Sequence, residues 1–115
     1  MNENVMTLRE YCPMGLVQHI ISGKWKLFII FILKDGTLRF NELQRRIPEI
    51  RRAYLTQQLR ELENDKIIHR EVYKVVPPKV EYSLTEIGLK FLDVIDKMEE
   101  WGAEYINSVN KNEEG

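Results

Sequence analysis

The chain has 115 residues, one cysteine and a formal net charge of −1, with 43% hydrophobic and 30% charged residues. This length supports one domain with its own core, and the composition is ordinary for a globular protein. No apolar stretch approaches the roughly 20 residues that a membrane-spanning helix needs, and the N-terminus lacks the layout of a secretory signal. A single cysteine excludes an intrachain disulfide and fits a reducing compartment. We expect a soluble cytoplasmic protein without membrane contact.

Charge is unevenly distributed along the chain. Residues 1–36 hold four Lys/Arg and three Asp/Glu, residues 37–84 hold ten and seven, and residues 85–115 hold three and eight. A basic middle and an acidic end fit a protein with one face that meets a polyanion. Solvated surfaces also differ in charge without any function, so the charge distribution alone leaves both interpretations open.

The first third of the chain predicts two helices. Cys12-Pro13 suits a helix start, because proline fits the first turn. Apolar residues then recur at helical spacing as far as Ser22-Gly23: Leu16, Val17, Ile20 and Ile21. The apolar run over residues 27–33 (LFIIFIL) has the length and β-branched content of a strand, but residues 24–34 make three helical turns that end at Gly36. We interpret the run as a central buried helix.

Residues 37–64 predict a short strand and two amphipathic helices. Residues 37–39 are long enough only for a stub of strand. The apolar positions of the first helix repeat at i, i+3 and i+7 before Pro48 stops it: Phe40, Leu43 and Ile47. Those of the second helix, over residues 51–63, repeat at i, i+4 and i+7: Leu55, Leu59 and Leu62. Asn64 or Asp65 is expected to take the left-handed backbone that ends this helix.

A hairpin follows the second amphipathic helix. Residues 68–73 and 80–84 are strand-like, and the second segment alternates cleanly between apolar and polar positions. Pro77-Pro78 cannot donate ladder hydrogen bonds, so it is expected at the exposed tip. The tip carries no acid and is flanked by Lys74 and Lys79. Two short helices followed by a basic hairpin are typical of a winged helix-turn-helix fold, which is mainly α with a two- to three-stranded wing.

The last segment predicts a long helix. Thr85 is a good N-cap, and Glu86 places an acid in the first turn. One apolar stripe follows a 4-3-4-3-4 spacing: Ile87, Phe91, Val94, Met98, Trp101 and Tyr105. A second stripe lies beside it: Leu92, Ile95, Ala103, Ile106 and Val109. So wide an apolar surface exceeds what one small domain usually covers. It predicts dimerisation through Phe91, Val94, Met98, Trp101 and Tyr105; the alternative is that the N-terminal helices cover all of it.

The helix over residues 51–63 leaves arginine, threonine and glutamine exposed when its leucines point inward. Such side chains bind phosphates and hydrogen-bond to base edges, and the major groove of DNA, about 12 Å wide, accepts a helix. Four residues are candidates for groove contact, with Gln57 suited to adenine and arginine to guanine: Arg52, Thr56, Gln57 and Arg60. Three more are candidates for phosphate contact: Arg45, Arg46 and Arg51. Exposed helices are often rich in these residue types, and the adjoining hairpin is what favours DNA binding.

The hairpin supplies further candidates. Lys74 and Lys79 are expected to contact the sugar-phosphate backbone or the minor groove. Arg70 either faces phosphate or pairs with Glu81.

Enzymatic functions find little support in the sequence. His19 and His69 lie in different elements without metal-ligand spacing, and the glycines form no phosphate-binding loop. We expect no metal, no cofactor and no enzymatic activity, and we expect His19 in the core or in an interface.

Cys12 has two interpretations. The simpler one is a small hydrophobic residue at a helix entry. The other is a sensor of oxidants or electrophiles, because a helix N-terminus favours the reactive thiolate. An intersubunit disulfide would then shift the two reading helices relative to each other.

Several segments of the chain, taken together and in order, resemble the HxlR-type (MarR-like) bacterial regulators: Cys12-Pro13, Gly23-Lys24-Trp25, and residues 39–43 (RFNEL), 55–63 (LTQQLRELE) and 76–86 (VPPKVEYSLTE). The resemblance covers about residues 12–102. It implies a homodimeric winged-helix transcription regulator that dimerises through terminal helices and binds a near-palindromic operator in double-stranded DNA. In some members a cysteine near the N-terminus senses oxidants or quinone-like electrophiles, and Cys12 matches that position.

The chain departs from the family pattern around the second helix. Arg51 stands where the family usually has serine, and Ala53 where it usually has a basic residue. The helix therefore loses a good N-cap, worth roughly 1 kcal/mol. Lys66 replaces a common glycine after the helix.

Together these observations predict a flexible N-terminus (1–11), one winged-helix domain (12–109) and a flexible tail (110–115). Within the domain, residues 37–84 form the DNA-binding core and residues 85–109 the dimerisation helix. The competing hypothesis is a winged-helix module that uses the same surface to bind protein instead of DNA.

Overall fold

The computed structural model describes the backbone of residues 12–114 and the side chains of residues 12–111. The N-terminus expected to be flexible lies outside this range. In chain order the elements are α1 (Pro13–Ile20), α2 (Lys26–Ile32) with a 3-10 turn (Leu33–Asp35), β1 (Leu38–Arg39), α3 (Phe40–Arg46), α4 (Arg52–Asn64), β2 (Ile68–Tyr73), β3 (Lys79–Leu84) and α5 (Glu86–Glu114). This order confirms the winged helix-turn-helix architecture. Among these helices, none is long and apolar enough to cross a membrane.

The two N-terminal helices form where the apolar periodicity predicts them. Cys12 is the N-cap of α1 and Pro13 its first residue. The apolar run after Gly23 is a helix rather than a strand, with Ile29 and Ile30 fully buried, but Phe28 is 55% exposed. The chain therefore buries one side of α2 rather than its whole circumference. His19 is also exposed, which contradicts a place in the core of the chain and leaves the expected interface position as a prediction.

The three strands form one antiparallel sheet in the order β1-β3-β2. Leu38 of β1 lies opposite Tyr82 of β3, and the β2–β3 register runs from Ile68 opposite Leu84 to Tyr73 opposite Lys79. Pro77 and Pro78 lie in the connection between β2 and β3, which confirms their place at the tip of the hairpin.

Helix α4 buries the predicted leucine stripe, with Leu55, Leu59 and Leu62 at most 1% exposed. Its N-cap, Arg51, makes no side-chain capping hydrogen bond, as the departure from serine predicts. The end of the helix differs from expectation, because Lys66 rather than Asn64 or Asp65 takes the left-handed backbone, with φ of 65°.

Two hydrogen bonds explain the position of this left-handed residue. The Ile67 N–H donates to the Leu62 carbonyl, and the Lys66 N–H donates to the Glu63 carbonyl, each at 3.0 Å. This pair defines a Schellman motif, in which the residue that usually is glycine is the left-handed one. The geometry therefore places the left-handed residue at Lys66, although asparagine and aspartate adopt that backbone more readily.

Thr85, which precedes α5, joins the start of that helix to the turn after α4. The Thr85 hydroxyl accepts from the Gly88 N–H at 3.1 Å and donates to the carbonyls of Lys66 at 2.6 Å and Ile67 at 3.0 Å. Helical backbone continues through Glu114, beyond the expected end at Val109. The core below these elements is formed mainly by buried Ile and Leu side chains of α2, α3, α4 and β2, with Tyr82 and Ile95 at its edge.

Candidate nucleic-acid interface

The two helices of the helix-turn-helix are joined by side-chain contacts. The Arg52 guanidinium lies 4.5 Å from the centre of the Phe40 ring, and its Nη1 donates to Asn41 Oδ1 at 3.2 Å. Gln44 Nε2 donates to the carbonyl of Ile50 at 2.6 Å, which holds the turn between α3 and α4. These contacts fix the angle at which α4 projects, a property that any groove-binding helix requires.

The structure brings the predicted groove residues together on the exposed side of α4. All four predicted residues are exposed: Arg52, Thr56, Gln57 and Arg60. The Thr56 hydroxyl donates to the Arg52 carbonyl at 2.9 Å, and Gln57 Nε2 donates to Glu61 Oε2 at 3.1 Å. Both side chains keep acceptor capacity for an external partner.

The contact of Lys26 with α4 was not anticipated from the sequence. Its Nζ lies 2.6 Å from Glu61 Oε1, and its side chain is only 4% exposed. The hydrogen bond from Lys26, followed by that from Gln57, holds the pKa of Glu61 below its usual value of 4.5. Gln58, one residue from Gln57, is also buried. Sequence periodicity does not predict the Lys26–Glu61 pair, because the two residues lie in separate helices.

Between α4 and the sheet lies a cleft of about 250 Å³, lined by Thr56, Arg60, Glu63, Arg70 and Tyr82. Arg70 therefore faces α4, and no ion pair joins it to Glu81 in the part of the chain that the structure describes. Two guanidinium groups against one carboxylate give the cleft the charge and the donors that suit a phosphate.

The two lysines of the wing differ in their surroundings. Lys74 is exposed in the tip segment, beside Val75 and the fully exposed Val76. Lys79 is half-buried, with Nζ 3.6 Å from Glu81 Oε2 and 4.6 Å from the centre of the Tyr73 ring. Glu81 also accepts a hydrogen bond from the Tyr73 hydroxyl, which raises the pKa of Tyr73. Lys79 is thus partly neutralised, whereas Lys74 projects into solvent.

The predicted phosphate contacts lie on either side of the turn that joins α3 and α4. Arg45 and Arg46 occupy the last turn of α3, and Arg51 precedes α4; all three are exposed. Arg46 Nη1 lies 4.0 Å from Asp35 Oδ2, a distance at which water screens the pair strongly. The residues that the structure describes contain no cluster of three or more His, Cys, Asp or Glu side chains with metal-site geometry.

Most of the predicted dimerisation stripe on α5 stays uncovered in the single chain. Val94, Met98, Trp101 and Tyr105 are 38% to 64% exposed. Trp101 and Tyr105 stack with ring centres 5.3 Å apart. Phe91 is half-buried against the core and lines an apolar groove between α1 and α5. The rest of the chain therefore covers Phe91 in part and leaves the other four predicted residues exposed.

Cys12 sits at the entry to α1 and is partly buried. Its Sγ accepts from the Gly15 N–H at 3.4 Å, so the thiol takes the place of the usual N-cap oxygen.

An exposed helix beside a basic hairpin, on a core of short helices, defines a winged helix-turn-helix protein. The chain belongs to the HxlR-like helix-turn-helix family, whose model matches residues 20–110. It is 52% identical over 104 residues to the HTH-type transcriptional regulator YdeP of Bacillus subtilis (strain 168), a match that covers 90% of this chain and 81% of YdeP.

Solved structures of redox regulators are also similar to this chain. The reduced form of the redox regulator HypR matches with a TM-score of 0.81 and 46% identity, over 87% of this chain and 99% of HypR. The reduced form of the transcriptional regulator YodB from B. subtilis matches with a TM-score of 0.74 and 33% identity, over 88% of this chain and 95% of YodB. HypR has also been solved in an oxidised form and YodB after diamide treatment.

Proposed function

We propose that the protein is a dimeric, sequence-specific DNA-binding regulator of transcription. The observation that carries this proposal is the exposed polar face of α4, which lies beside a wing whose tip carries Lys74. Membership of a family of transcriptional regulators supports it. In this proposal α4 enters the major groove, with Arg52, Thr56, Gln57 and Arg60 facing base edges.

Phosphate contacts fix the register of the helix on the duplex. Arg45 and Arg46 contact the backbone on one side of the groove, and Arg51 contacts it at the start of α4. Lys74 and Lys79 bind the flanking backbone through the wing. The Arg60–Arg70 cleft adds a phosphate site between helix and wing, because two arginines and one glutamate line it.

Dimerisation follows from the uncovered stripe on α5. The Trp101 and Tyr105 side chains are stacked and exposed, and a second copy that covers them removes their apolar surface from water. A two-fold dimer presents two copies of α4, so the operator is near-palindromic, with half-sites about one helical turn, roughly 34–36 Å, apart.

Fluorescence anisotropy with random duplex DNA tests the proposal, because even non-specific binding appears at low salt. With roughly six phosphate contacts per dimer, the slope of log K against log salt is expected near −5. A binding constant that does not change with salt concentration, or no binding at the lowest salt, would contradict DNA binding. That result would favour the protein-interaction module instead.

We also propose that Cys12 responds to oxidants. The Gly15 N–H directed at its sulfur supports this role, as do the redox regulators among the structural neighbours. Because the chain has one cysteine, a disulfide joins two chains: two thiols give up two protons and two electrons, and an added diazene oxidant such as diamide becomes the hydrazine. Non-reducing gels after diamide treatment should show a cross-linked dimer that Cys12→Ser abolishes. An unchanged DNA-binding response in Cys12→Ser would refute the sensor.

A further inference from the structure

The segment Gly23–Lys26 contacts one face of α4 at three successive positions. The Lys24 N–H donates to the Tyr54 hydroxyl at 3.4 Å. A β-carbon on Gly23 would lie 2.6 Å from Gln58 Oε1, so this glycine lets the backbone approach the helix. Lys26 pairs with Glu61 at 2.6 Å. The contacted residues are spaced i, i+4 and i+7, which places them along a single stripe of the helix.

Glu61 connects this stripe to the exposed face of α4. Its Oε1 accepts from Lys26, and its Oε2 accepts from Gln57 Nε2 at 3.1 Å. An ionised carboxylate only accepts hydrogen bonds. The NH₂ end of the Gln57 amide must therefore face Glu61, and the amide oxygen must point away from it.

Burial of Lys26 favours this arrangement. A charged lysine that is only 4% exposed needs a partner, because an uncompensated buried charge is costly. Glu61 remains ionised at neutral pH, since Lys26 and Gln57 both lower its pKa. The carboxylate is thus held in place on one side and presents a fixed acceptor on the other.

We propose that Glu61, anchored by Lys26, is a specificity-determining positioning residue that holds Gln57 in the amide orientation that reads adenine. The second N–H and the free Oε1 of Gln57 match the N7 acceptor and the N6 amino donor of adenine in the major groove. This inference rests on the proposed function, and it adds a residue that touches no base. Glutamine alone presents either end of its amide, so the choice of base comes from Glu61.

Selection of bound duplexes from a randomised library tests the proposal. The wild-type protein should prefer adenine at one position of each half-site by about tenfold or more, and Gln57→Ala should lose that preference. In Glu61→Gln the new amide oxygen must face the Lys26 ammonium, so its NH₂ faces Gln57 and reverses the Gln57 amide. Both N–H groups of Gln57 then point outward, so the adenine preference at the same position should fall and the preference for guanine, whose N7 and O6 accept, should rise.

Two further variants keep the test decisive. Lys26→Met removes the buried charge while filling the same space, so it should fold and lower the adenine preference several-fold without moving it. Glu104→Gln makes the same charge change at an exposed position of α5 and should leave the preference intact. Retained adenine preference in both Glu61→Gln and Lys26→Met overturns the inference, as does an unchanged preference in Gln57→Ala. Absence of all DNA binding by the wild type would instead refute the proposed function.

Discussion

A β-carbon on Gly88 would overlap the carbonyl oxygen of Ile67, because the first turn of α5 lies directly on the turn that ends α4. Side-chain volume is therefore excluded at Gly88 by backbone, which cannot move as a flexible side chain does. Gly102, further along the same helix, has no atom within 4 Å of its hypothetical β-carbon. The two glycines make a matched pair.

Gly88→Ala should lower the free energy of unfolding by about 1–3 kcal/mol, the usual cost of overpacking. Gly102→Ala should raise it by about 0.5–1 kcal/mol, since alanine favours a helix over glycine. Urea unfolding followed by circular dichroism measures both. Equal stability of Gly88→Ala and the wild type would contradict the close approach of α5 to Ile67.

The Lys26–Glu61 pair should make stability depend on pH. The pKa of Glu61 is lower in the folded chain than the usual 4.5. The pair therefore contributes stability that is fully present above about pH 4.5 and is lost as the pH falls through the lower, folded pKa. The stability of the wild type relative to Lys26→Met should fall over that acid range and stay level from pH 5 to 7. A difference that is independent of pH below 4.5 would argue against an ionised pair.

The two wing lysines should contribute unequally to DNA binding. Lys74→Gln should weaken binding to all duplexes alike and reduce the steepness of the salt slope by about 2 per dimer, one phosphate contact for each wing. Lys79→Gln should have a smaller effect, because Glu81 already partly neutralises that ammonium. Glu81→Gln should strengthen binding by releasing Lys79. Anisotropy titrations at several salt concentrations check this order, and a larger effect at Lys79 would reverse the assignment.

Trp101→Glu should dissociate the dimer. The Trp101 indole is 64% exposed in the single chain and would be buried against the second copy. A carboxylate at the same place would have to be buried without a partner, which is costly. Val76→Glu, at the fully exposed tip of the wing, places the same charge away from α5 and should leave the dimer intact. Sedimentation velocity at micromolar concentration distinguishes the two results. A dimeric Trp101→Glu protein would move the interface away from this stripe.

Sequence periodicity predicts the elements of this fold well because each helix buries a single stripe. Leu55, Leu59 and Leu62 show the principle, since a spacing of i, i+4, i+7 has one helical solution. Pairing across the fold leaves no such trace: nothing local in the sequence connects Lys26 with Glu61. The burial of Gln58 is equally hidden, because it depends on the approach of Gly23 from another segment.

The left-handed position at Lys66 illustrates a third limit. Local preference favours asparagine or aspartate there, yet the hydrogen bonds that close α4 and the anchoring of Thr85 together select the residue that must turn. Tertiary contacts thus override residue preference within a distance of two positions. The exposure of Arg52, Thr56, Gln57 and Arg60 could be predicted from the pattern alone, whereas the orientation of their side chains could not.

Thr85 also couples the direction of α5 to that of α4. Its hydroxyl hydrogen-bonds to the carbonyls of Lys66 and Ile67 in the turn after α4. The two helices therefore meet at a stiff corner. Tyr105 lies about 30 Å along the axis from that corner at 1.5 Å per residue. A sideways shift of about 3 Å at Tyr105 therefore rotates the corner by about 6°, as simple geometry on that 30 Å arm requires. A small displacement at the far end of α5 would in this way change the angle at which α4 is presented.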